Sequence, residues 1–175
     1  MKRVRIILVE DNPTDVLLVE ETLKALQLEF TLQRYINGEQ AARAFAGMTE
    51  PPDLILVDLN LPRIHGFELL QLIRANAALA HSTVAVLTSS TSAADRTSSE
   101  QCGADAHIVK PAGYYDFVAE VGGSIRILLE RPVGEATFPG ARPPMLPPIL
   151  LAAGLAAALL EYWRKKPGAR SRSLH

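Results

Sequence analysis

Five short apolar runs recur along the first 130 residues, each stopped by polar residues, and between them apolar positions repeat at helical spacing. The runs cover 4–9, 30–36, 54–57, 83–88 and 106–109. The first, third and fourth are apolar throughout most of their length and read as strands buried on both faces, while 30–36 alternates apolar and polar like a half-covered strand. Asn12 as a cap and Pro13 in the first turn open a helix expected over 13–27, with Val16, Val19, Leu23 and Leu26 on one face. Asn37–Gly38 starts a second helix over 39–48, closed by Pro51–Pro52, and a third follows Gly66 with Phe67, Leu69, Leu70, Leu72 and Ile73. A polar helix is expected over 93–102 and stops at Gly103. The last, over 114–130, offers Phe117, Val121, Ile125 and Leu128, with Gly122–Gly123 weakening its middle. Strict alternation of strand and helix predicts an α/β fold with a parallel sheet covered on both faces, because parallel neighbours need crossover connections and these are right-handed.

The residues that stop the strands carry the chemistry. Glu10 and Asp11 follow the first strand, and Asp58 follows the third, with Asn60 and Pro62 as turn-formers behind it. Thr88 ends the fourth, ahead of Ser89, Ser90 and Thr91, and Lys110 follows the fifth. In a parallel sheet these ends share the carboxyl edge, where ligands of open α/β sheets bind. Three carboxylates brought together repel one another unless a hard cation sits among them, and Mg²⁺, which prefers oxygen ligands, suits such a set. A lysine and a hydroxyl beside it can hold the oxygens of a phosphoryl group. The set is therefore fit for Asp58 to act as a nucleophile toward phosphorus, forming an aspartyl-phosphate.

Length and charge divide the chain. At 175 residues, 48% of them hydrophobic, it can bury the core of one ordinary domain and leave a tail. Residues 1–130 hold 11 of the 18 basic and 17 of the 19 acidic side chains, a net of −6; residues 131–175 hold the remaining 7 and 2, a net of +5. Cys102 is the only cysteine, which excludes an intramolecular disulfide; it reads as a small packed hydrophobe. The start MKRVRIILVEDN lacks a signal-peptide pattern, and a cytoplasmic location is expected.

VEDN at 9–12, DLNLP at 58–62, LTSS at 87–90 and VKP at 109–111, in that order and spacing, resemble the receiver domain of two-component response regulators. VEDNPTDVLLVEETL and DLNLPRIHGFELL further resemble the single-domain regulators of bacterial phytochrome histidine kinases. The resemblance implies a flavodoxin-like (βα)5 fold with a five-stranded parallel sheet and a phosphorelay role rather than an enzyme. It implies that Asp58 accepts a phosphoryl group from a sensor histidine kinase, and that Mg²⁺ is held by Glu10, Asp11, Asp58 and the backbone carbonyl of Asn60. Lys110 would pair with the phosphate, its bond to Pro111 being cis, and the Thr88 hydroxyl would move toward the phosphate as a switch. One position departs from the pattern: three residues before the lysine the family carries Tyr or Phe, and this chain has His107. His107 reads as a partly buried surface histidine whose imidazole titrates near pH ~6.5 when unperturbed. His65, His81 and His175 show no metal-ligand spacing.

Two other function classes stay open. One is a constitutive scaffold in which the acidic site binds Mg²⁺ but phosphorylation drives nothing. The other is a phosphatase of the haloacid-dehalogenase type, which also uses an aspartate nucleophile at a strand end; it needs a second aspartate two residues on, where this chain has Asn60.

The expected division is a receiver over 1–131, a proline-rich linker over 132–148 and an apolar helix with a basic tail over 149–175. No charged residue occurs over 145–160, and a helix from Pro147 or Pro148 to Trp163 would span roughly 24 Å, short of a hydrocarbon core of about 30 Å. Three readings of this helix stand: packing on the receiver or on its twin in a homodimer, lying in a membrane surface, or a short tail anchor. RKKPGARSR has no fold around it to read bases, so no nucleic-acid partner is expected.

Overall fold

The structure, a computed structural model, describes residues 3–130. The linker and apolar helix expected beyond them lie outside the described residues. The elements run β1 (Val4–Val9), α1 (Pro13–Ala25), β2 (Phe30–Tyr35), α2 (Gly38–Ala46), β3 (Leu54–Val57), α3 (Gly66–Ala75), β4 (Thr83–Thr88), α4 (Ala93–Gln101), β5 (Ala106–Val109) and α5 (Tyr114–Glu130). All pairings are parallel and the sheet order is β2-β1-β3-β4-β5, the flavodoxin-like arrangement. The order reverses at β1, so the connections on its two sides leave toward opposite faces. A crevice forms there at the carboxyl edge.

The strand pleat sorts the core into two layers. Ile6 and Leu8, Leu54 and Leu56, Ala85 and Leu87, and Ile108 point to one face, where Val16, Val19 and Leu23 of α1 and Phe117, Val121, Ile125 and Leu128 of α5 cover them. Ile7, Val9, Ile55, Val57, Val84, Val86 and His107 alternate with that set and point to the other face. Helices α2, α3 and α4 pack in series there. Strand β2 lies at one edge of the sheet and none of its residues is fully buried, in keeping with its alternating sequence, whereas β5 at the other edge buries His107 and Ile108.

Most boundaries fall where turn chemistry places them. The Asn12 side chain accepts from Thr14 N and Pro13 is the first helical residue of α1; the Asn37 side chain accepts from Gln40 N at the start of α2. Helix α1 stops at Ala25 rather than at 27, because Gln27 turns left-handed with φ at 55°. Helix α2 ends at Ala46 with Gly47 as its cap, and α4 ends at Gln101 before Gly103, whose φ of 91° only glycine adopts readily. Strand β2 ends one residue short of 36, since Ile36 N turns to the Gln40 side chain. Helix α5 runs unbroken through Gly122–Gly123. A Cβ on Gly122 would stand 3.2 Å from Thr22 Cγ2 of α1, so the glycine that lowers helix propensity also lets the two helices pack closely.

At the opposite edge of the sheet from the acids, Arg74 at the end of α3 ties two connections together, α3–β4 and α4–β5. Its guanidinium donates to the carbonyls of Gly103 (2.7 Å), Ala80 (2.9 Å) and Ser82 (2.8 Å) and pairs with Asp105 (2.8 Å), which also accepts from Val84 N. Four acceptors at these angles need a planar fork of donors, which an ammonium cannot supply. Arg74→Ala is expected to cost about 3 kcal/mol in urea unfolding and Arg74→Lys to recover only a minor part of it, because both leave buried carbonyls and Asp105 under-bonded.

Candidate functional site

The sheet holds the backbone of each strand-end residue one step past the last strand position. Glu10 N donates to Tyr35 O (3.0 Å), Asp58 N to Val9 O (3.0 Å) and Lys110 N to Thr88 O (2.8 Å). The pleat then directs the side chains. Glu10 continues the series of Ile6 and Leu8, Asp58 that of Leu54 and Leu56, and Lys110 that of Ile108, so all three turn to the face of α1 and α5. Glu10 and Asp58 are buried, at 2% and 7% exposed. The first turn of α3 closes over the base of the site: a Cβ on Gly66 would come 2.5 Å from the Asp58 carbonyl oxygen, and Gly66 N donates to Leu59 O.

The Lys110 ammonium lies among three carboxylates, 2.6 Å from Glu10, 2.8 Å from Asp15 and 3.3 Å from Asp58. Burial alone would lower its pKa, but the hydrogen bonds it donates to Asp15 and Glu10 and the nearby charge of Asp58 outweigh it and hold the lysine above its usual value. Burial pushes the Glu10 carboxyl above the usual range, against the opposing pull of Lys110. Glu10, Asp11 and Asp58 each offer a carboxylate oxygen within 4.8 Å of the others, Asp11 from the exposed side. All-oxygen donors and an opening to solvent fit a hard divalent cation that keeps part of its water shell. Asn60 is exposed in the loop after β3, and its backbone N–H donates to Asp58 Oδ1 at 3.3 Å.

Thr88 does not join this group through any hydrogen bond. It follows Val84 and Val86 to the opposite face, fully buried, where its Oγ1 accepts from Ser90 N at 3.2 Å. His107 lies on that face too. The sequence suggests a partly buried surface residue, but the structure buries it at 8% exposed, because its place in β5 faces α4. Its Nδ1 is 3.0 Å from Ser99 Oγ, a hydrogen bond whose direction follows the imidazole tautomer, and the same hydroxyl lies 2.7 Å from the Asp95 carbonyl. Ser90 Oγ donates to the Asp95 carboxylate. Thr88, Ser90, Asp95, Ser99 and His107 thus form a continuous polar series between β4, α4 and β5. The Lys110–Pro111 bond is trans, not cis, the lower-energy isomer for a bond to proline. His65 caps α3, its Nδ1 accepting from Phe67 N at 3.4 Å, and burial raises the Cys102 thiol.

Sequence reasoning missed Asp15. Its signal was present in NPTD, an acid one helical turn after Asp11, but an acid in the first turn of a helix is common for its favourable field there. Ser99 was missed as well, since nothing in a polar helix marks the one serine that faces a strand.

Comparison with known proteins agrees with this geometry. The family described as response regulator receiver domain matches residues 6–121. The response regulator Rcp1 of Synechocystis sp. is 34% identical over 131 residues, covering 71% of this chain and 88% of Rcp1. The transcriptional regulatory protein KdpE of Mycobacterium tuberculosis is 29% identical over 138 residues, covering 74% of this chain but 57% of KdpE, so the match spans little over half that relative. Among solved structures, the phosphorylated cyanobacterial phytochrome response regulator RcpA superposes with a TM-score of 0.69 at 28% identity, covering 77% of this chain and all of its own (100%). The Mn²⁺-bound form of Rcp1 gives 0.66 at 33% identity, covering 76% and 99%.

The buried imidazole generates a pH prediction. Burial, only partly opposed by a hydrogen bond with the Ser90 backbone, lowers the His107 pKa below its ordinary 6.5. Above that value the ring is neutral folded or unfolded. As pH falls below it, the unfolded chain takes up the proton first and folding stability drops. Urea unfolding at pH 7.5 and 5.5 is therefore expected to show a smaller acid loss for His107→Phe than for wild type, by the contribution of this one group.

Proposed function

Since the chain belongs to the response regulator receiver domain family, we propose that Asp58 accepts a phosphoryl group from the phosphohistidine of a sensor histidine kinase, of phytochrome type, and that the chain signals by altering its own interaction surface. The supporting observation is the pairing of Asp58 with Lys110 at 3.3 Å beside the carboxylates of Glu10 and Asp11. A carboxylate oxygen of Asp58 forms the new O–P bond as the N–P bond of the donor breaks, and the electron pair stays on the leaving imidazole. Mg²⁺, held by Glu10, Asp11, Asp58 and the Asn60 carbonyl, would supply charge to the phosphoryl oxygens. Lys110 moves from Asp58 to those same oxygens and neutralises charge that develops on them. Thr88 gives up Ser90 N to donate to the phosphoryl group, and the series Ser90, Asp95, Ser99 and His107 carries the change to α4 and β5.

Turnover as a phosphatase has less support. The residue two after Asp58 is Asn60, whose neutral side-chain amide neither donates nor takes the proton such chemistry needs. A constitutive scaffold has no use for a buried ammonium aimed at the acceptor carboxylate. No helix among the described residues is long and apolar enough to cross a membrane. We take the chain to act on the cytoplasmic side; the linker expected over 132–148 and the apolar helix with its basic tail expected over 149–175 lie outside the described residues.

Light scattering with size-exclusion chromatography on the full chain, in Mg²⁺ with and without beryllofluoride, tests the switch. Wild type is expected to change mass or partner affinity with beryllofluoride and Asp58→Asn to give no response. The same state in both proteins under both conditions overturns the reading in favour of a scaffold, and steady phosphate release from p-nitrophenyl phosphate overturns it in favour of an enzyme.

A further inference from the structure

We propose that Asp15 is a positioning residue that holds the Lys110 ammonium back from Asp58, keeping that carboxylate free for the metal. The inference rests on the reading that a divalent cation sits among Glu10, Asp11 and Asp58. An ammonium has three N–H donors, and those of Lys110 go to Glu10, Asp15 and Asp58. Two of these acceptors belong to the cation set, so the lysine competes with the metal for the same oxygens. Asp15 does not belong to that set. It is the one acceptor drawing the ammonium toward α1, and the lengths show which carboxylate is relieved: the ammonium stays 2.6 Å from Glu10 and 2.8 Å from Asp15 but 3.3 Å from Asp58.

Asp15 is suited to this role by where it stands. The Asn12 cap and Pro13 fix the first turn of α1 directly after the acids, so its backbone is set before any ligand arrives. Among the described residues Lys110 is the only hydrogen-bond partner of its carboxylate, and its side chain is 21% exposed, against 7% for the lysine. Without the Asp15 charge the third N–H turns to Asp58 or Asp11. The lysine then neutralises the oxygens the cation needs, and the site closes on itself. With Asp15 present, Lys110 stays charged and near Asp58 but displaced from it, ready to move to an incoming phosphoryl group.

Calorimetric titration of MgCl₂ into the full chain tests this without any phosphorylation step. Asp15→Asn is expected to weaken Mg²⁺ binding roughly fivefold, and in a Lys110→Met background the same substitution is expected to change it by less than about twofold. An equal loss in both backgrounds means Asp15 acts only as bulk charge and overturns the proposal, as does wild-type affinity in Asp15→Asn. If Lys110→Met does not fold, the single variant is titrated again at about 0.5 M KCl. Screening removes a distant charge effect but not one through a buried contact, so a loss that persists supports the proposal and one that vanishes overturns it. Wild type that fails to bind Mg²⁺ at all contradicts the cation site itself, a separate result from any difference between the variants.

Discussion

Lys110 is a single positive charge set among carboxylates that the sheet cannot move apart. Glu10 and Asp58 are held by ladder hydrogen bonds from neighbouring strands and are almost fully buried, so their repulsion has to be met where they stand. One ammonium meets it from the fifth strand, 100 residues from Glu10 in sequence. The site is balanced without being saturated: Asp11 is exposed beside the two buried carboxylates and makes no ion pair among the described residues, which suits the set to a cation. Everything around the acids serves this balance, from the left-free crevice at β1 to the glycine that lets α3 press on the Asp58 backbone.

The pleat imposes a second constraint. Because side chains alternate faces, residues at the same sheet edge separate into two groups that do not touch. Glu10, Asp58 and Lys110 face α1 and α5, where Asp15 meets them. Thr88 and His107 face α4, where Ser99 and Asp95 meet them. Thr88 stands at the boundary of the two groups: its carbonyl accepts from Lys110 N and its hydroxyl oxygen accepts from Ser90 N. That His107 hydrogen-bonds Ser99 gives this chain a polar link where an aromatic ring would offer only packing, and a polar link that is broken must be replaced or paid for in desolvation.

The far edge is built for the opposite purpose. Arg74 joins the end of α3, the turn into β4 and the turn into β5 through four acceptors, and the buried aliphatic layers lock the strands above it.

Fold and acids were legible in the sequence because both depend on local patterns. Runs of Val, Ile and Leu at 4–9, 54–57 and 83–88 specify buried parallel strands, Asn12 and Asn37 specify helix starts, and a polar residue after each run specifies what reaches the edge. The family resemblance rests on the same short stretches. Helix ends were less legible, since Gln27 leaving the helical region is settled by where the chain must go next and not by its own propensity. Partners across the fold were not legible at all. Asp15 with Lys110, Ser99 with His107, and Gly122 against Thr22 are pairs distant in sequence or divided between elements, and each residue taken alone has an ordinary local reading. Sequence determined which groups arrive at the edge; only the register and pleat of the assembled sheet decided which of them meet, because a one-residue change of parity sends a side chain to the other face.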